Sequence, residues 1–138
     1  MPKANTKLIQ ALREAASNLK GGVKYEWGHM GRCNCGHLVQ TATQMTDVEI
    51  VKSIDHELDE WTEHAKDYCA VTNHKVDDLF ATMESIGFDR YDMSNLEYLS
   101  DKNVLDALPN GRYLHRNNPQ HVSLYMDTMA DLLEEQLV

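Results

Sequence analysis

Basic residues are scarce in this chain: thirteen Lys and Arg face twenty-two Asp and Glu, a formal net charge of −9 at neutral pH. A field of that sign repels phosphate backbones and anionic headgroups, so neither nucleic acid nor a membrane surface is an expected partner. The one basic cluster, Arg112 with His115 and Arg116, is too short to reverse the field and reads as a solvated loop. Long apolar runs are missing as well, which excludes a bilayer-spanning helix, and the stretch from Met1 to Leu19 lacks the unbroken apolar centre of a secretion signal. Proline occurs only three times, and there is no repeat and no polar low-complexity tract, which argues against disorder. Cysteine is limited to three residues, and Cys33 and Cys35 are too close in sequence for an easy disulfide. Free thiols in a reducing, cytoplasm-like compartment are therefore expected.

What is present is helical periodicity. A chain of 138 residues suffices for one buried core, and residues 1–138 read as a single domain. Leu8, Ile9, Leu12, Ala15, Ala16 and Leu19 recur at helical spacing, followed by Gly21 and Gly22 where a left-handed cap is wanted. A short extended lead-in, Val23 to Trp27, precedes a glycine-rich stretch, and a second helix starts near Gly36. Thr46 and Glu49 form a capping box, from which Val51, Ile54, Leu58, Trp61, Ala65 and Tyr68 lay one seam along a central helix. Val76, Leu79, Phe80, Met83 and Ile86 form another stripe, and Gly87 with Phe88 fits a Schellman ending. Ser94 and Asp101 offer N-caps for two short helices, and Asn118 with Pro119 opens a last helix running to the C-terminus. The expectation is an all-α domain of about five to seven helices, a bundle or an orthogonal array, with a Gly/Cys/His-rich loop near residues 28–37.

That loop is the sequence's most chemical stretch. His29, Cys33, Cys35 and His37 supply two thiolates and two imidazoles, the ligand types of a tetrahedral zinc centre. The single residue between the cysteines is tighter than the usual spacing of two to four. Cys69 or His74 would replace a local ligand if the end of the central helix packed against the loop. The structural alternative makes the cysteines small buried apolar residues and gives the histidines local hydrogen bonds.

A nucleophilic thiol is the other chemical reading. A helix beginning near Gly36 places Cys35 at its positive N-terminus, where thiolate is favoured. Tyr25-Glu26-Trp27-Gly28, then Cys35, then Leu38-Val39-Gln40, resembles the segment around the helix-heading cysteine of papain-like cell-wall peptidases of the NlpC type. His121-Val122-Ser123-Leu124-Tyr125 is similar to the strand that carries that family's histidine. The resemblance implies a hydrolase with Cys35 as nucleophile and His121 as base, and it implies a sheet after the cysteine helix. Residues 46–108 read instead as capped helices.

The acidic face of the central helix carries a weaker pattern. His56 to Glu60 misses the zinc-peptidase pattern by its second histidine, and Glu60 with His64 shares one face but lacks an E-x-x-H partner. A solvated surface is the simpler reading. The leading expectation is thus a small soluble protein whose Cys/His loop binds a metal, zinc by ligand type, or exposes thiols, for binding or regulation rather than catalysis. The alternatives are the cysteine hydrolase and a purely structural helical module, for which the seam of residues 51–68 would serve a homodimer. The protein or small-molecule partner is not legible.

Overall fold

The computed structural model describes residues 1–27, 31–52, 74–108 and 114–137, with the backbone alone at 51, 52 and 74–77. The fold is all-α. Among the described residues there are seven helices and no strand: α1 (Thr6–Lys20), α2 (Asn34–Thr43), α3 (Asp47–Lys52), α4 (His74–Ser85), α5 (Arg90–Tyr98), α6 (Lys102–Ala107) and α7 (Pro119–Leu137).

Local chemistry sets most of the boundaries. Asn5 caps α1 by accepting from the amides of Lys7 and Leu8, and the chain leaves that helix through Gly22 at φ +86°, the left-handed position anticipated for the glycine pair. Thr46 and Glu49 exchange side-chain bonds with each other's amides, both at 3.2 Å, and α3 begins between them. The Phe88 amide returns to the Met83 carbonyl at 2.9 Å around Gly87 at φ +94°, while the Phe88 ring is fully buried, so the Schellman ending closes α4. Asp101 and Asn118 cap α6 and α7.

One boundary differs from expectation. The helix assigned to a Ser94 cap starts earlier, at Arg90, because Asp89 and Asp92 form a reciprocal capping box with both bonds at 2.9 Å. An aspartate reaching back to the cap amide does the work that glutamate usually does, and Ser94 lies inside the helix. The anticipated seam of residues 51–68, and with it the dimer it would serve, lies outside the described residues from 53 onward.

The core is built around α1 and α7. Leu8, Leu12, Ala15, Ala16 and Leu19 of α1 are buried against Val122, Tyr125, Met126, Met129 and Leu133 of α7. Rising numbers on α1 meet falling numbers on α7, since Arg13 reaches Asp131 and Glu134 while Lys20 reaches Asp127 at 2.6 Å, so the two helices run antiparallel. These exposed ion pairs fix register more than they stabilise, at about 0.2–1 kcal/mol each. Two buried hydroxyls tie neighbours onto the same helix: Ser123 of α7 donates to the Ala16 carbonyl and Thr41 of α2 to the Ala11 carbonyl, both at 3.0 Å. With its polar groups bonded in this way, α2 sits in the core on its other side, through Cys35, Leu38, Val39 and Ala42.

Gly31 places α2 relative to α3. A Cβ there would lie 2.5 Å from the carbonyl oxygen of Asp47 and 2.9 Å from its Cα, so only glycine permits the backbones to come this close. The approach is held by the Arg32–Asp47 ion pair at 2.7 Å and by the Gln40 amide donating to the Gly31 carbonyl. Because the obstacle is backbone, Gly31→Ala is expected to destabilise the protein by about 1–3 kcal/mol. A urea midpoint equal to that of the parent would show that the contact is not tight in solution.

Candidate functional site

The Cys/His segment is the start of a helix facing inward. Cys33 is the N-cap of α2, its sulfur accepting weakly from the Gly36 amide at 3.4 Å. Asn34 and Cys35, the first residues of the helix, are both fully buried, as Cys33 very nearly is. The first-turn amides of a buried helix need partners, and Glu97 of α5 supplies one: its carboxylate accepts from the Cys35 amide at 2.8 Å. The Cys35 thiol donates to the Met93 carbonyl at 2.9 Å.

Asn34 is the centre of the arrangement. Its amide nitrogen lies 3.1 Å from the Leu96 carbonyl, 3.0 Å from that of Glu97 and 3.1 Å from that of Arg116, so two protons are shared among three acceptors. Its oxygen is 2.5 Å from the Tyr25 hydroxyl, which also lies 2.7 Å from the Arg116 carbonyl. The Trp27 indole N–H donates to the Glu97 carbonyl at 3.2 Å. One buried side chain therefore joins the lead-in of residues 23–27, the end of α5 and the turn before α7.

This environment sets the chemistry of the thiols. Burial pushes the Cys33 and Cys35 thiols well above the usual range, and the nearby Glu97 carboxylate pushes in the same direction. Both are free thiols. Thiolate at the head of α2 was the basis of the nucleophile reading, and here desolvation and a neighbouring anion outweigh the helix N-terminus. His37 is also enclosed, 2% exposed, with Nε2 at 2.9 Å from the Lys24 carbonyl. A carbonyl only accepts, so Nε2 carries the proton, and burial lowers the pKa of the imidazole below its ordinary 6.5. The ring lies nearly parallel to Tyr25, 15° between planes.

The predicted site residues are thus only partly brought together. Cys33, Cys35 and His37 share one end of α2, with their polar atoms directed to protein partners. Among the described residues no three His, Cys, Asp or Glu side chains are grouped to hold a metal ion. His29, the fourth expected ligand, lies outside the described residues, as do His56, Glu60, His64, Cys69 and Arg112. His121 stands in the first turn of α7, on a helix and not the strand that the peptidase resemblance implies. Its Nδ1 accepts from the His115 amide at 2.9 Å and its ring stacks on that of His115 at 5.5 Å, while the Cys35 thiol is directed to Met93. No hydrogen bond joins the proposed nucleophile to the proposed base.

A different feature lies on the outward side of Asn34. Tyr98, Leu114, His115, Arg116 and Asn117 line a cleft of about 340 Å³. Above it the Arg116 guanidinium sits 4.7 Å from the centre of the Trp27 ring and 5.1 Å from that of Tyr98, and the two rings are tilted 54° to each other. Sequence reasoning missed these residues because each is ordinary alone. The available signal was Glu97 and Asn34, polar residues set among the apolar positions of their helices.

Two outcomes test this description. Iodoacetamide at pH 8 should modify Cys33 and Cys35 at least about a hundredfold more slowly in the folded protein than in urea, and comparable rates would mean the segment is open. Because the folded pKa of His37 is lowered, the unfolded chain takes up its proton first, so this residue makes stability fall as pH drops below 6.5. His37→Gln keeps a donor for Lys24 and cannot titrate, so its stability should fall less steeply between pH 7 and 5, and an equal slope would contradict the assignment. Compared with known protein families, characterised proteins and solved structures, the chain matches none.

Proposed function

We propose that this protein acts by binding, not by covalent catalysis, and that its ligand seat is the cleft between the end of α5 and the turn at residues 114–118. The observation that carries the reading is Arg116: an exposed guanidinium laid against two aromatic rings at the mouth of a 340 Å³ cleft, on a backbone fixed from beneath by Asn34 and Tyr25. A cleft of this size is at the lower end of small-molecule sites, and a few polar groups held in fixed positions are what such sites require. On this reading the Cys/Asn/Cys segment is the support of the site, and the binding role expected of the loop moves to the surface above it.

The other expectations have less geometric support. A zinc centre would require His29 together with removal of the bonds that now occupy Cys35 and His37. A hydrolase would require Cys35 to ionise in a buried setting beside Glu97, and the His121 ring to leave His115.

Amide and side-chain NMR with a library of small-molecule fragments tests the proposal. The expected result is that hits cluster on the indole N–H of Trp27 and on the signals of Tyr98 and of residues 114–117. Hits distributed elsewhere, or none, would overturn it.

A further inference from the structure

We infer that the group recognised in this cleft is a carboxylate carried on a small molecule, with the Arg116 guanidinium as its receptor. The inference rests on the binding reading above and names its ligand class.

A planar cation approached by aromatic rings uses its faces and retains its in-plane N–H edge, the fork that meets a carboxylate through two parallel hydrogen bonds. Trp27 and Tyr98, whose ring centres are 6.3 Å apart, both lie toward one side of the guanidinium, and the side chain is otherwise exposed. Arg13, Arg32 and Lys20 each hold carboxylates of the protein, whereas Arg116 has none within 4 Å among the described residues. A guanidinium with no acid beside it among the described residues, and packed against two rings, is available to an anion from outside.

Preorganisation strengthens the case. The Arg116 carbonyl is held by the Tyr25 hydroxyl at 2.7 Å and the Asn34 amide at 3.1 Å, so the main chain is already set, and stacking restrains the long side chain. Less conformational freedom is then lost on binding. The rest of the lining is predominantly polar, with Asn117 beside Arg116, so the non-ionic remainder of a small acid would lie against polar groups.

The choice of a carboxylate over a phosphate follows from the field. A net charge of −9 opposes every anion and opposes a dianion about twice as strongly as a monoanion. One guanidinium can offset a single charge. Phosphate, the alternative anionic head, is disfavoured for the same reason, and inorganic phosphate distinguishes the two.

The experiment follows Trp27 fluorescence in a Trp61→Phe background, because the chain has two tryptophans. Benzoate, neutral benzamide and inorganic phosphate are titrated at low and high salt. Benzoate is expected to shift the emission saturably and more weakly as salt rises, while benzamide and phosphate shift it little. Arg116→Gln should weaken benzoate about tenfold or more, and Arg116→Lys, which keeps the charge and loses the fork, should fall between. The Arg116 side chain is solvent-exposed, so the Arg116 variants are expected to keep the circular dichroism spectrum and melting temperature of the Trp61→Phe background, which would confirm that the fold persists. Benzamide binding as well as benzoate, or phosphate binding in its place, overturns the carboxylate assignment and leaves the cleft reading standing. No saturable response to any probe, together with no cleft hits by NMR, removes both.

Discussion

The structure depends on one buried amide. Asn34 lies wholly inside the protein, with its two amide protons shared among the Leu96, Glu97 and Arg116 carbonyls and its oxygen accepting from the Tyr25 hydroxyl. An unbonded amide in that position would cost several kcal/mol, so the lead-in, α5 and the turn before α7 are constrained to meet around it. Glu97 extends the same tie, because its carboxylate closes the first turn of α2 while its carbonyl serves both Asn34 and Trp27. Polar networks of this kind are costly when incomplete and specific when complete.

Two consequences follow from that tie. Inward, it draws Cys33 and Cys35 into a low-dielectric site beside a carboxylate, which suppresses the thiolate that both a nucleophile and a metal ligand need. Outward, it fixes the carbonyl of Arg116 and the indole of Trp27, and so presents a stacked guanidinium over a cleft. Asn34 between the cysteines and Glu97 of α5 thus quiet one kind of chemistry and position another. Gly31 has a comparable role at the next junction, letting the backbone pass close to α3.

How much of this could be read from the sequence differs by scale. The helices were legible because their signals are local: Thr46 with Glu49, Gly87 with Phe88, and Asn118 with Pro119 act within one turn, and all three appear as caps or endings in the structure. Asp89 with Asp92 was passed over because a second aspartate is an unusual member of a capping box. The importance of residues 33–37 was also legible, from glycine, cysteine and histidine crowded together. Their role was not, because it depends on Glu97 and Arg116, some 62 and 82 positions from their partners on α2. Spacing within a loop shows which ligands it offers and is silent on what a distant helix brings against it. Arg116 shows the same limit: read as a solvated loop cation, it is stacked on Trp27, a residue whose proximity only the tertiary fold creates.

Hydrogen exchange at the Cys35 amide tests the central claim most directly, because that N–H is donated to Glu97 inside the tie. In the parent protein it is expected to exchange only through global unfolding, with protection matching the full unfolding free energy, and in Asn34→Ala to exchange through a local opening well before the α1 and α7 amides. Rapid exchange at Cys35 in the parent while α1 and α7 stay protected would contradict the account, since the segment would then be opening on its own.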